Sequence, residues 1–135
     1  MNEIDRVIHL ILQDIKVELG DEFDKNFERQ GFFSEKWARR KSPRRPDGPI
    51  LIDTGNLRRS VQSKVDTTSI TFFSDLPYAS IHNDGGEIKV TAKRKVGQKI
   101  KIPRRRFLGT SPEVERSVRE IIEEELEQYF NNIKI

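Results

Sequence analysis

The sequence predicts an α+β fold, in which a long N-terminal helix and a C-terminal helix pack on one face of a roughly four-stranded, mostly antiparallel sheet made of two hairpins. Near both ends of the chain, apolar residues recur at steps of three or four, which is the spacing of an amphipathic helix. Between them, short runs alternate apolar and polar residues and are separated by turn formers, as in hairpins. With 135 residues, the chain is expected to form one domain over 1–135.

The first predicted element is a helix from residue 3 to about residue 30. Gly31 is expected to end it in a left-handed conformation, with Phe32 making the hydrophobic contact that accompanies such an ending. The apolar stripe of this helix consists of Ile4, Ile8, Ile11, Ile15, Leu19, Phe23 and Phe27.

A basic segment follows. Trp37 is predicted to be a buried anchor at its start, because large aromatic side chains dominate cores. Residues 38–49 contain five Lys or Arg, three prolines and a glycine. Like charges and prolines both oppose regular structure, so the sequence predicts a flexible basic loop over 38–49.

The chain turns sharply at Asp53-Thr54-Gly55-Asn56, directly after the branched apolar run 50–52. About one helical turn is expected over 57–60. A hairpin with strands at 61–66 and 70–74 should follow, because both runs alternate with period two.

The next stretch predicts a short helical segment within 77–86, which two glycines end. A second hairpin then pairs a run around Ile88 with a run around Ile100. Its tip, 93–98, is strongly basic, which is one way in which exposed strands avoid sticking to one another.

The C-terminal helix has two favourable starts. Thr110 as N-cap with Glu113 would form a capping box, whereas Ser111 as N-cap would put Pro112 at the first helical position. The apolar stripe of this helix consists of Val114, Val118, Ile121, Ile122, Leu126, Tyr129, Phe130 and Ile133.

Charge is distributed unevenly along the chain, although the net charge is only +3. Residues 89–106 hold nine Lys or Arg and no acid, whereas residues 113–127 hold seven Glu against two Arg. This asymmetry fits nucleic acid on the basic side, or self-association in which the basic part of one copy meets the acidic helix of the next.

Several classes of protein are disfavoured by composition. The chain has no Cys and two His, so a disulfide framework is absent and a zinc site would depend on carboxylates. No apolar run approaches the roughly 20 residues of a membrane span, and the N-terminus does not resemble a signal peptide. A cytoplasmic protein without membrane contact is expected.

Asp53-Thr54-Gly55 is the strongest catalytic candidate. It resembles the active-site triplet of aspartic proteases, in which two such Asp residues share a proton and activate water. Asn56 and the pair Arg58-Arg59 depart from that pattern, and a basic tip stands where a flap should be. A turn or cap in which Asp53 accepts backbone N–H bonds is favoured.

Two further candidates have ordinary explanations. His82-Asn83-Asp84 could suggest a metal site, but a turn histidine held by local hydrogen bonds is favoured. The basic runs at 39–41, 93–95 and 104–106 allow nonspecific proximity to DNA through phosphate contacts. They lack aromatic platforms and a recognition helix, so a solvated or partner-facing charge run is the default.

Three motifs in a fixed order carry a family resemblance: Thr54-Gly55-x-Leu57-x-x-Ser60, Tyr78-Ala79-x-x-His82-x-x-Gly85 and Pro103-x-Arg105-x-Phe107-Leu108-Gly109. Together with the two terminal helices and Trp37, they resemble the virion morphogenesis, or tail completion, family of Mu-like phages and prophages. Gly86 and Asp84 depart slightly from the usual spacing after the His.

The resemblance implies a non-enzymatic assembly protein that acts in tail completion or head-to-tail joining. It implies a homo-oligomeric ring, contacts with other tail or connector proteins, and no cofactor, catalytic residue or metal ligand. The protein would be in the bacterial host cytoplasm during assembly and then in the tail or neck of the virion. The expected interface or structural residues are Trp37, Asp53, Gly55, Leu57, Tyr78, His82, Gly85, Arg104, Arg106 and Phe107.

Overall fold

The computed structural model describes residues 2–39, 55–89 and 99–133. Its helices are α1 (Glu3–Arg29), α2 (Asn56–Ser60), α3 (Ala79–Asp84) and α4 (Pro112–Asn131). Its strands are β1 (Gly31–Phe32), β2 (Glu35–Lys36), β3 (Gln62–Val65), β4 (Ile70–Phe73), β5 (Gly86–Lys89) and β6 (Lys99–Ile102). The α+β class is confirmed. Asp53, most of the expected loop 38–49 and the hairpin tip lie outside the described residues.

The strands form three separate two-stranded antiparallel sheets within the described ranges, and not one sheet of four. Both predicted hairpins are present, as β3–β4 and β5–β6. They are held by different neighbours: β4 places Phe72 against Phe23 of α1, whereas Gly86 at the start of β5 lies close to Ile81 of α3. The short pair β1–β2 was not predicted, because two residues per strand are too few to show alternation.

α1 begins and ends with side-chain and backbone caps. Asn2 Oδ1 accepts a hydrogen bond from the Asp5 N–H at 2.7 Å. At the other end, Gln30 takes the left-handed conformation with φ of 57°, so the expectation for Gly31 was wrong by one residue. Gly31 is needed for another reason: a Cβ there would lie 2.6 Å from the Glu35 carbonyl oxygen across the β1–β2 pair.

α4 uses the second of its two predicted starts. Ser111 is the N-cap, and its Oγ accepts a hydrogen bond from the Val114 N–H at 3.1 Å. Pro112 follows at the first helical position, where its missing N–H costs nothing. Ser111 is therefore expected to contribute to stability while the exposed Thr110 is not.

Replacing Ser111 with alanine should lower the free energy of unfolding by about 1 kcal/mol, because the Val114 N–H loses its partner at the start of α4. Urea unfolding followed by circular dichroism measures the change. Thr110→Ala is the matched control and should change the midpoint little. Equal effects of the two substitutions would show that Ser111 is not the cap.

The described residues form two buried apolar clusters. The helix cluster holds α1 and α4 together with the β1 segment, through Ile15, Leu19, Phe23, Phe32, Val114 and Ile121. The junction cluster lies at the end of α1 and consists of Phe27, Trp37, Leu57, Ala79 and Phe107. Because the start of α4 packs near the end of α1, and Phe130 lies beside Ile4, the two helices are antiparallel. None of the helices in the described ranges combines the length and the apolarity needed to cross a lipid bilayer.

Candidate functional site: a hydrogen-bonded junction

The three sequence motifs meet at the junction cluster. Leu57 comes from the first motif, Ala79 from the second and Phe107 from the third. Phe27 of α1 lies between aromatic rings, with centroid distances of 5.7 Å to Trp37 and 5.4 Å to Phe107. Residues that are far apart in sequence are therefore brought together by packing against the last turns of α1.

Two asparagines hold the chain segment 103–109, which has no regular secondary structure. Asn26 of α1 donates through Nδ2 to the Phe107 carbonyl at 3.1 Å, and its Oδ1 accepts from the Phe33 N–H at 2.9 Å. From the other side, Asn83 Oδ1 accepts from the N–H groups of Phe107 and Leu108 at 2.8 and 3.1 Å. These bonds satisfy backbone groups that a helix or a sheet would otherwise satisfy.

The same segment is tied to the residues that follow β2. Trp37 is buried, and its Nε1–H donates to the Arg106 carbonyl at 2.7 Å. Arg105 is buried as well, and its Nε–H donates to the Ala38 carbonyl at 3.0 Å. The Arg105 N–H donates to the His82 carbonyl at 2.8 Å, which joins the segment to α3.

The arginine run contacts groups of its own chain. Arg104 pairs with Glu35 of β2 at 2.9 Å, and both side chains are exposed. The Arg106 guanidinium lies 4.6 Å from the centroid of the Phe32 ring, a cation–π distance. The Arg105 side chain donates to the Ala38 carbonyl, as described above. Each arginine of the run therefore has a contact within its own chain.

Two of the glycines selected from the sequence lie at ends of the short helices α2 and α3. Gly55, with φ of 68°, stands at the N-cap position of α2. Gly85 ends α3 with φ of 75°, and a Cβ there would lie 2.9 Å from the Arg104 nitrogen. A side chain at Gly85 would therefore separate α3 from the 103–109 segment. Asp53 lies outside the described residues.

Tyr78, at the N-cap of α3, and His82, within α3, form an aromatic pair. The Tyr78 ring is exposed and meets the His82 ring edge-on, with centroids 5.9 Å apart. His82 Nδ1 is buried and has no hydrogen-bond partner among the described residues, so the expected local side-chain bond is wrong for this nitrogen. Burial, and then the positive charge of Arg105, lower the pKa of His82 below its usual value.

Stability is expected to fall as the pH drops below about 6.5, the ordinary pKa of His. Because the folded pKa of His82 is lower than the unfolded one, the unfolded chain binds the proton more readily in this window. Stability is complete above the unfolded pKa and is lost on acidification. For one proton the slope is at most about 1.4 kcal/mol per pH unit.

Urea midpoints between pH 8 and pH 5.5 test this expectation. His82→Gln should flatten the profile relative to the wild type. His9→Gln removes the exposed histidine of α1 and keeps His82, so it serves as the matched control and should retain the wild-type profile. A profile that is unchanged by His82→Gln would contradict the assignment.

A small pocket opens beside the junction. It has a volume of about 160 Å³ and is lined by Ser74, Ala79, Ser80, Asn83, Asp84, Phe107 and Leu108. This is below the range of roughly 300–1,000 Å³ that holds most small-molecule ligands. Within the described parts of the chain, no three His, Cys, Asp or Glu residues stand close enough together to hold a metal ion. The side chains of the junction instead hold the 103–109 segment against α1, α3 and Trp37.

Sequence reasoning gave no role to Asn26, although a signal was available. Asn26 lies three residues after Phe23 and seven after Leu19, so it is a polar residue on the apolar stripe of α1. Arg58 was also missed. It donates to both carboxylate oxygens of Asp24 at 2.7 and 2.8 Å and joins α2 to α1, and this contact lowers the pKa of Asp24.

The fold is that of a small α+β protein, and its three sequence motifs pack together against the end of α1. The chain belongs to the phage virion morphogenesis family, whose sequence profile matches residues 8–127. The resemblance stated from the sequence is thereby confirmed.

One curated relative is the Mu-like prophage FluMu G protein 2 of Haemophilus influenzae, which is 35% identical over 77 residues. The aligned part covers 57% of this chain and 51% of the relative, so the chain spans about half the length of that protein. No solved structure matches the chain.

Proposed function

We propose that the protein is a non-enzymatic virion assembly component that acts in tail completion or head-to-tail joining, as a ring of identical subunits. The observation that carries the proposal is the family match over residues 8–127, within which the matched motifs form the buried junction. Residues such as Leu57, Ala79 and Phe107 are used in packing, which suits a rigid building block. The protein would assemble in the host cytoplasm and remain in the tail or neck.

Charge segregation supports assembly from identical copies. Among the described basic residues of 89–106, three lysines lie on β5–β6 and three arginines lie in the segment that follows, whereas the glutamates of 113–127 lie on α4. Opposite charges on separate surfaces favour head-to-tail contacts between copies, and such contacts close into a ring when the rotation allows. Partners among other tail or connector proteins would meet the faces of that ring.

Deletion of the coding gene from the phage or prophage that carries it tests this role. We expect electron micrographs of the lysate to show separate heads and tails, or tails of abnormal length, with few infectious particles. A plasmid copy of the gene should restore joined particles. Normal, infectious particles in the absence of the gene would overturn the proposal.

The same complementation assay distinguishes the assembly role from the alternative, an aspartic protease. Asp53→Asn removes the catalytic carboxylate that the alternative requires but keeps a side chain of similar size. We expect the Asp53→Asn gene to restore particles as well as the wild-type gene does. Failure of a folded Asp53→Asn protein to support assembly, together with loss of a peptide cleavage that the wild type performs, would favour the enzyme.

A further inference from the structure

Strand β4 has one open side. Within the described ranges the β3–β4 hairpin is a sheet of two strands, so β4 is paired on the β3 side only. The direction of its peptide groups follows from the bond at the turn, where the Asp66 N–H donates to the Ser69 carbonyl at 2.8 Å. In an antiparallel pair, opposite residues exchange hydrogen bonds at every second position. Counting from the turn, Thr71 bonds to β3, whereas the N–H and C=O groups of Ile70 and Phe72 point to the open side.

This open side carries none of the usual protection of a strand edge. Proteins protect exposed edges with lysine, proline or a bulge. β4 reads Ile70-Thr71-Phe72-Phe73, which contains no charge and no proline and consists of residue types that favour strands. The outward peptide groups form no hydrogen bond with any other described residue. Such groups need water or protein as a partner, so the edge can accept an added strand.

The open edge of β4 is complementary to itself. Two copies of the strand can run antiparallel with Thr71 of one copy opposite Thr71 of the other. Ile70 of each copy then lies opposite Phe72 of the other copy. Each of these pairs can exchange both of its N–H···O=C bonds, so every outward peptide group of the two strands gains a partner. Because the strand is uncharged, no like charges meet across the contact.

Side-chain pairs favour β4 over β3 as the added strand. Pairing of β4 with itself places the branched Ile70 beside the aromatic Phe72 twice. Pairing of β4 with β3 of a second copy would instead place Phe72 beside Ser63 and Ile70 beside Val65. Aromatic and β-branched residues are a stabilising cross-strand combination, whereas phenylalanine and serine are not. Lys64 also gives β3 the charge that protects an edge.

We propose that two copies of the chain join edge to edge through β4, with Thr71 of both copies at a two-fold axis. The two hairpins then form one four-stranded sheet in the order β3, β4, β4, β3. The same surface is used on both copies, so the contact joins copies in pairs and is distinct from the head-to-tail contacts of the proposed ring. The inference goes beyond the assembly role, because it rests on the geometry of the strand.

Disulfide trapping tests the arrangement directly, because the chain contains no Cys. Thr71 is exposed, and across the axis it forms a pair without hydrogen bonds, in which the Cα atoms lie about 4.5 Å apart, within the range of disulfides. Thr71→Cys alone should therefore give a disulfide dimer under mild oxidation. The matched control is Lys64→Cys, at the exposed position opposite Thr71 in the same hairpin. The two Lys64 positions would be three strand spacings apart, roughly 14 Å, so this variant should stay mainly monomeric.

A mixture of the two variants distinguishes the possible arrangements. The dimer of Thr71→Cys should remain the main product when Lys64→Cys is present in equal amount. A mixed disulfide as the main product would place β4 beside β3 of the second copy and would overturn the two-fold contact. Equal yields of the two like dimers, or no disulfide product at all, would overturn it as well.

A charge on the axis provides a second measurement, by sedimentation of the purified protein across concentration. In Thr71→Glu, the new carboxylate lies opposite Lys64 in its own hairpin, which favours the fold, but two carboxylates meet in the dimer. Dimerisation should weaken by about tenfold or more, with an unchanged circular dichroism spectrum. Gln62→Glu adds the same charge at an exposed position of β3 and should change the association constant less than about twofold.

Wild-type dimerisation of the Thr71→Glu protein, or a wild type that stays monomeric at every concentration, would show that β4 is not the contact. Both measurements use purified protein and no phage. Their failure therefore leaves the assembly role standing, and normal particles in the absence of the gene would leave the β4 contact standing.

Discussion

Asn26→Ala is expected to lower the free energy of unfolding by about 3 kcal/mol, a large part of the stability of a domain this size. Asn26 is 0% exposed, and its side chain serves the Phe107 carbonyl and the Phe33 N–H at once. Alanine leaves the buried Phe107 carbonyl and the partly buried Phe33 N–H without that partner, and each unsatisfied buried group costs about 1–3 kcal/mol. Urea unfolding followed by tryptophan fluorescence reports the change, because Trp37 lies in the same junction.

Two further variants separate the hydrogen bonds from the volume of the side chain. Asn26→Leu fills the space but makes no hydrogen bond, so it should destabilise about as much as Asn26→Ala does. Asn131→Ala, at an exposed asparagine in α4, is the matched control and should change stability by less than about 0.5 kcal/mol. A stable Asn26→Leu protein would contradict the role given to the network.

Phe107→Ala is expected to cost about 3–5 kcal/mol, the range for truncating a fully buried aromatic side chain. Phe107 is 1% exposed, and it packs on Phe27 in the junction cluster. The substitution opens a cavity where all three sequence motifs meet, so α2, α3 and the 103–109 segment should loosen together. Chemical denaturation gives the free energy, and near-ultraviolet circular dichroism gives the loss of packing around Trp37.

Phe130→Ala removes the same side chain from an exposed site and is the matched control for Phe107→Ala. Measured at a protein concentration at which the wild type is monomeric, it should change the free energy of unfolding by less than about 0.5 kcal/mol. Similar losses for the two phenylalanines would show that burial at the junction does not set the cost.

The long helices could be predicted because their signals are local and repeated. α1 has seven apolar residues at helical spacing, and α4 has both an N-cap serine and a proline at its first position. The hairpins were also predictable, because alternation and turn residues lie within a few positions of each other. In each case, the information that determines the element is contained within it.

The features that were not predicted depend on contacts between residues that are distant in the sequence. Whether two hairpins join into one sheet depends on where each one packs. Phe72 packs the first hairpin against α1, whereas Gly86 brings the second hairpin close to α3, so the two hairpins remain separate. The left-handed residue at the end of α1 is Gln30, which is not a glycine. A hydrogen bond from the Trp37 N–H to the Gln30 carbonyl helps to hold it in that conformation. The junction was missed because the hydrogen-bond partners of Asn26 and Asn83, at residues 107–108, are distant in the sequence. A polar residue on the apolar stripe marks Asn26 but does not identify its partners.

The segment 103–109 leads directly from β6 into the turn before α4, and it is fastened to α1 by Asn26 and to α3 by Asn83. Because the hydrogen bonds from both sides are made to the same few peptide groups, this segment is held in one position relative to α1 and α3. A mechanical load applied to the β5–β6 hairpin would therefore be passed to α1 and α3 and shared between them. A subunit built in this way resists being stretched along its length, even though the connecting segment is neither helix nor strand.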